Sequence, residues 1–232
     1  MIDHTGNDQH YQLNIATGMN RGVRRKAPHT ASVVGGRPFV IGVSGCTRCG
    51  KGTLAKGLRD ALKGDVAVGV VSILNTGARA DSSLVQVLGQ DDYYDMRLVS
   101  KAPSGWEDSS ALRHADLRQD LSDVRKARVA QYIVVEGFRA FHDPELTAQM
   151  DLMIWLNLDK AECYTRRQRT KRVPKTVFEE HLWPRHEEYQ HDVQERLSSS
   201  LHVLDGRQSP EVVLEAVLHM IPHHPAREPR PL

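Results

Sequence analysis

The sequence predicts an α/β fold in which a parallel sheet is covered by helices on both faces. Three observations carry that prediction. Short apolar runs recur along the chain, with polar, helix-periodic stretches between them. The runs are nearly continuous in Val, Ile and Leu rather than alternating, the pattern of strands buried on both sides. The first run feeds into a glycine-rich turn that opens a helix, as parallel strand-to-helix units do.

In chain order, residues 1–36 show no sustained period and carry a basic cluster, Arg21, Arg24, Arg25 and Lys26; they read as a flexible N-terminal arm. Ordered structure is expected from Pro38. Phe39–Val43 is the first strand, and Lys51–Leu62 is a helix with Leu54, Leu58, Ala61 and Leu62 on one face. Residues 64–83 read as an insertion or a sheet edge, with Val66–Leu74 as a further strand and Asn75-Thr76-Gly77 as a loop. Leu84–Leu88, Tyr132–Val135 and Leu152–Leu156 are inner strands, and Leu201–Leu204 is a weaker one. The helical stretches are 110–124, 160–169 and 177–197. A last helix is capped by Ser209 with Pro210 at its first position, the residues favoured at those two places. The domain is expected to span 37–221, and the tail from Pro222, rich in Pro, His and Arg, reads as disordered.

Composition excludes several classes. The 232 residues are 40% hydrophobic and 26% charged, with a net charge of +2, so bulk charge calls for neither nucleic acid nor an anionic membrane. No apolar run reaches the roughly 20 residues of a membrane span, and Met1–His10 lacks the apolar core of a signal peptide. Three Cys, an odd number, argue against a disulfide framework and for a reducing, cytoplasmic setting, with the nucleus also open.

The most specific stretch is Gly45-Cys46-Thr47-Arg48-Cys49-Gly50-Lys51-Gly52-Thr53. It lies between a predicted strand and a predicted helix and has the G-x-x-x-x-G-K spacing of a phosphate-binding loop. Gly45 and Gly50 let the backbone curl so that its N–H groups converge on phosphate oxygens. Lys51 adds a positive charge near the outer phosphates, and the helix start adds its dipole. Gly52 stands where Ser or Thr would bind Mg²⁺, and Thr53 comes one residue later. The fold is therefore read as a P-loop NTPase, with ATP and Mg²⁺ as its cofactors. Cys46 and Cys49 make a C-x-x-C, read as loop filling rather than a metal site because no second pair accompanies it and Cys163 is remote in sequence.

Ligands of such sheets bind beyond the carboxyl ends of the strands. Two predicted strands end in acids there: one runs into Asp91-Asp92, the other into Glu136. A phosphoryl-transfer site needs one group to orient or deprotonate the attacking hydroxyl and acids to hold Mg²⁺. Asp91 and Glu136 are placed for those roles, while Asp92 is as well explained as a turn acid.

With these pieces in order, the chain resembles the nicotinamide riboside kinases, within the uridine-kinase-like group of P-loop nucleoside kinases. The matching segments are Gly42–Cys46, Gln90-Asp91-Asp92-Tyr93-Tyr94, Trp106-Glu107-Asp108, Val135-Glu136-Gly137-Phe138, Glu162-Cys163, His181-Leu182-Trp183-Pro184 and Leu204-Asp205-Gly206. The resemblance implies a metal shell of Thr53, Asp91 and Glu136, with Asp91 as base and Lys51 and Arg169 as catalytic cations. It implies that Glu107 or Asp108 grips the ribose hydroxyls, Glu107 standing where the family uses Asp. Tyr94 and Trp106 would flank a cationic nicotinamide ring. Arg166, Arg167, Arg169 and Arg172 would form a short Arg-rich lid over ATP, shortened because only Val173-Pro174-Lys175 follows. The implied activity is ATP-dependent phosphorylation of the 5′-hydroxyl of nicotinamide riboside by a monomer. A uridine/cytidine kinase and a nucleotide-binding regulator that has lost transfer stay open beside it.

Overall fold

The computed structural model describes residues 37–62, 85–101, 109–128, 130–170 and 172–222. The N-terminal arm, the 64–83 segment, Leu84, Trp106, Glu107, Asp108 and residues 223–232 lie outside the described residues.

Among the described residues five strands form one sheet: β1 (Phe39–Gly45), β2 (Val85–Gly89), β3 (Tyr132–Glu136), β4 (Leu152–Asn157) and β5 (Leu201–Asp205). Their order is β2-β3-β1-β4-β5, and every pairing is parallel. Each expected inner strand falls within a residue or two of its observed span. The helices are α1 (Lys51–Ala61), α2 (Met96–Val99), α3 (His114–Ala127), α4 (Pro144–Thr147), α5 (Lys160–Gln168), α6 (Lys175–Val177), α7 (Trp183–Leu197) and α8 (Pro210–Met220).

Side-chain alternation along the strands splits the core between the two faces. Ile41, Val43, Val134, Ile154 and Leu156 pack with Leu54 and Leu58 of α1 and Val213 and Val217 of α8. Val40, Ile133 and Val135 pack against Leu117, Leu121 and Val124 of α3. Met153 and Trp155 face Tyr189 and Val193 of α7. Ile154 has no solvent exposure, so truncating it to Ala costs about 2–5 kcal/mol. The outer strand β5 leaves His202 and Val203 exposed, which is why its sequence signal is the weakest of the five.

Helix ends follow their caps. The Ser209 side chain accepts from the Val212 N–H, as its position before Pro210 predicts. Asp159 caps α5 through the Glu162 N–H, and Asp143 caps α4 through Glu145 and Leu146. The stretch expected as one helix over 177–197 is not uniform. Phe178–Leu182 forms a π turn, in which the Trp183 N–H reaches the Phe178 carbonyl, before α7 begins. Pro184 has no N–H to give to the α-helical ladder, and the widened turn accommodates the missing bond.

Candidate active site

The phosphate loop takes its shape from β1 and the two glycines that bracket it. Gly45 has φ 141° and Gly50 φ 108°, a region side chains avoid. A Cβ on Gly45 would lie 2.3 Å from the Leu156 carbonyl of β4, so the loop leaves the sheet only with glycine there. Between them Arg48 is left-handed (φ 63°), and the Cys49 N–H bonds back to the Cys46 carbonyl at 3.3 Å. Helix α1 then opens with no side-chain cap and no acid in its first turn. Its first N–H groups and positive dipole end are left for an anion.

Lys51 lies inside this curl. Its Nζ donates to the carbonyls of Gly45 (3.2 Å) and Cys46 (2.8 Å) and to Cys49 Sγ (3.8 Å). Burial opposes its charge, but Cys49, Cys46, Glu136 and Asp91 outweigh burial and push the Lys51 pKa up. The ammonium is therefore held charged among acceptors that an incoming phosphate can replace.

Strand register brings the acids to this loop. Gly89 of β2 and Val43 of β1 both pair with Glu136 at the end of β3. The chain leaving β2 thus places Asp91 beside Glu136, and both flank the loop that leaves β1. Burial raises the Glu136 pKa and the neighbouring Asp91 and Asp92 add to it, while Lys51 pulls it down. Asp91 is exposed, and no hydrogen bond to another described residue holds its carboxylate, so its lone pairs are available to a substrate. The exit of β3 is fixed by Gln90, whose Oε1 accepts the Arg139 N–H at 2.7 Å. Gln90 lies so close over Gly137 that a Cβ there would meet its side chain at 2.2 Å.

One open cavity of about 610 Å³ gathers these groups: Thr47, Arg48, Gly50, Lys51, Gly52 and Thr53 of the loop, Asp91, Tyr94, Glu136, and Arg167 of α5. All of these are residues that the sequence marks. Gly137 and Phe138 also line it; sequence reading used them only as motif markers. The other marked residues are placed differently. Gly45, Cys46 and Cys49 are buried beneath the loop. Arg166 pairs with Glu162 (2.6 Å) and donates to the Gly206 carbonyl (2.9 Å), tying α5 to the turn after β5. Arg169 and Arg172 are exposed and do not line the cavity. Among the described residues of the basic stretch Arg167 alone lines it, and it donates to Thr47 Oγ1 at 2.9 Å. The link from α5 to α6 covers only residues 169–174 and is braced by Gln168 Nε2 on the Val173 carbonyl.

Three features had little or no local signal. Cys163, remote in sequence, donates to the Thr47 carbonyl (3.2 Å) and neighbours the Cys46 thiol. Burial would push the Cys49 thiol up, but the neighbouring Cys46 thiol and the Lys51 ammonium bring it down to about 6. The Cys163 and Cys49 thiols, with burial, hold Cys46 above its ordinary value. The surroundings therefore favour the charged form at Cys49 and the neutral form at Cys46. Tyr189 of α7 is the second feature: its OH accepts the Phe141 N–H (2.8 Å) and shares a hydrogen bond with Ser44 Oγ (3.2 Å). Arg139 is the third, with its guanidinium 5.3 Å from the Phe138 ring centre and 5.2 Å from that of Tyr189.

The donor set fits a nucleoside triphosphate with its Mg²⁺. An uncapped helix start and a charged lysine suit phosphate oxygens. Among the described residues no group of three or more His, Cys, Asp and Glu side chains is arranged to hold a metal unaided. Nucleotide-bound Mg²⁺ needs only one or two carboxylates, because phosphates and water complete its shell, and Asp91 and Glu136 supply two.

No family model matches the chain. It is similar to human nicotinamide riboside kinase 1, with 26% identity over 180 residues, covering 75% of this chain and 87% of that protein. It is also similar to a uridine kinase of Deinococcus deserti, with 25% identity over 177 residues, covering 63% of this chain and 77% of the relative. Among solved structures, a sugar kinase from a Janibacter species superposes with a TM-score of 0.50 at 18% identity, over 78% of this chain and 92% of that one. The fold is that of the P-loop kinases, as the sequence predicts. Among the described residues no helix is long and apolar enough to cross a membrane.

Proposed function

We propose that this chain is an ATP-dependent kinase that phosphorylates the 5′-hydroxyl of nicotinamide riboside. The kinase part is supported by the similarity to two nucleoside kinases. The observation that carries the reading is the convergence of Lys51, Asp91, Glu136 and Arg167 on one cavity. These are the parts that phosphoryl transfer needs: a cation for the outer phosphates, a carboxylate for the acceptor hydroxyl, an acid for the metal, and a guanidinium for developing charge.

In this reading the curled backbone of 45–51 and the start of α1 bind the phosphates. Lys51 exchanges its carbonyl and sulfur partners for phosphate oxygens. Asp91 orients the acceptor hydroxyl and takes its proton on a carboxylate oxygen. Arg167 closes over the phosphates from α5. Mg²⁺ held near Asp91 and Glu136 neutralises phosphate charge when bound. Tyr94 and Trp106 bracket the nicotinamide ring, and Glu107 or Asp108 receives the ribose diol. Catalysis is then mostly positioning and electrostatics.

The test is ADP release with Mg·ATP, comparing nicotinamide riboside, uridine and no acceptor. Release that depends on nicotinamide riboside is the expected result. Release with uridine alone establishes instead the uridine kinase reading, which the Deinococcus relative favours. Tight ATP binding with no transfer to either points to the regulator. Asp91→Asn should lower kcat by about 10²–10⁴-fold while ATP affinity changes by less than about threefold; unchanged turnover removes Asp91 from the role of base.

A further inference from the structure

Three cysteines that this reaction does not use meet beneath the phosphate loop. All three are unbridged and buried, and the Cys163 and Cys49 thiols both neighbour Cys46 and favour its neutral form. The segment Cys46–Cys49 is a single four-residue turn, closed by the Cys49 N–H on the Cys46 carbonyl at 3.3 Å. Such a turn holds its end Cα atoms within about 7 Å, and a disulfide takes Cα separations of about 4.4–6.8 Å. Cys49 also stands at the positive end of α1, one residue before its cap Gly50, with Lys51 Nζ 3.8 Å from its sulfur. A helix start and a neighbouring ammonium are the surroundings that make a cysteine reactive. Cys49 is 2% exposed and faces the core, while Arg48 and Gly50 on either side of it line the open cavity, so a small solute reaches the sulfur when the loop opens.

We propose that Cys46 and Cys49 form an oxidisable dithiol, a modification site for a two-electron oxidant of the peroxide class, whose disulfide form seats a nucleotide's phosphates poorly. The Cys49 thiolate attacks one peroxide oxygen. The O–O bond breaks and hydroxide leaves, taking up a proton to become water, so that Cys49 becomes a sulfenic acid. The Cys46 sulfur then attacks the Cys49 sulfur, the S–O bond breaks, and the oxygen departs as water with the Cys46 proton. Two thiols and one peroxide give one disulfide and two waters, and a reducing dithiol reverses the result.

The consequence for the loop follows from its geometry. The two unbridged sulfurs must close to about 2.05 Å. The Cβ atoms come with them, and the Gly45–Lys51 backbone has little slack, since Gly45 already abuts the Leu156 carbonyl. A displacement of about 1 Å in a positioning element costs up to about a hundredfold. Cys49 also ceases to be a partner of Lys51. Bound nucleotide covers the same opening, so it should slow the oxidation.

The experiment treats the full chain with hydrogen peroxide, with and without Mg·ATP. Intact mass, tryptic mapping without reduction, and nucleotide affinity by calorimetry are then read. The expected result is a loss of 2 Da and a Cys46–Cys49 link that joins two fragments across the cut after Arg48. Nucleotide affinity should fall at least about tenfold and return with dithiothreitol. The Cys163→Ala variant should show the same mass loss, and Cys49→Ser should not. A link to Cys163, a gain of 32 Da, or unaltered thiols overturns the dithiol assignment. A Cys46–Cys49 disulfide with unchanged nucleotide affinity overturns its effect on the loop. The affinity arm rests on the phosphate-loop reading, whereas the mass and mapping arms do not. Failure of the kinase assay therefore leaves the dithiol standing, and failure of the dithiol leaves the kinase reading standing.

Discussion

The phosphate loop and the basic stretch at the end of α5 are both cationic segments beside one cavity, and they are built on opposite terms. In the loop, a single backbone curl determines where every residue goes. Thr47, Arg48, Gly50, Lys51, Gly52 and Thr53 all face the cavity, and Cys46 and Cys49 face the core. In the basic stretch, neighbours diverge. Arg166 turns to Glu162 and Gly206, Arg167 turns to Thr47 and the cavity, and Arg169 and Arg172 face solvent. A motif defined by chain closure specifies each of its members. A run defined by charge specifies only that some member will arrive, because successive residues on a helix point about 100° apart.

The comparison breaks most readily at Lys51. Lys51→Ala should lower kcat/KM for ATP by about a thousandfold and weaken ATP binding measured by calorimetry. Near-normal values would make the curl a turn rather than a phosphate site. Next come the two adjacent arginines. Arg167→Ala should lower kcat/KM for ATP by about 10–100-fold with an unchanged melting temperature. Arg166→Ala should leave kinetics within about twofold and cost about 1 kcal/mol of stability, or roughly 2–4 °C in Tm. If the two variants behave alike, the division between them is wrong.

A smaller effect tests how far the cations act on α7. His186 is buried between Trp155 and Trp183; burial, then Lys51 and Arg139, lower its pKa to about 4. Burial, with His142 next, lowers His114 to about 4 as well. Both folded values lie below the unfolded value near 6.5. The native state is therefore undisturbed above about pH 6.5 and loses stability as pH falls toward about 4, by up to about 1.4 kcal/mol per pH unit for each His. A denaturation series across that range should show the slope, and His186→Phe should reduce it. Removing the Lys51 charge by Lys51→Met should move the His186 titration upward by a fraction of a unit, as read by NMR.

Legibility in the sequence divides along the same line as the two cationic segments. Phe39–Val43, Tyr132–Val135 and Leu152–Leu156 are readable because burial on both faces leaves continuous apolar runs. Ser209-Pro210 is readable because a cap is local chemistry. Asp91 and Glu136 are readable as acids at strand ends, and the β2–β3 register is what places them side by side. Cys163 is not readable as a partner of Cys46, since 117 positions of chain separate them and only the docking of α5 beside the loop joins them. Tyr189 lies in a stretch so rich in Glu, Arg and His that its buried face carries few apolar markers. The π turn at Phe178–Leu182 follows from Pro184, a residue that the helical pattern passes over.

Tyr189 gives the molecule a built-in gauge. The Phe141 amide is held by a side-chain oxygen of α7 and not by a carbonyl of its own strand or turn. Its protection against exchange with deuterated solvent therefore reports how firmly α7 is seated on the sheet. Because the same phenol reaches Ser44, the residue just before Gly45, the exchange rate of this single amide registers any loosening at the root of the phosphate loop. It can do so without a bound ligand, a reaction or an added probe.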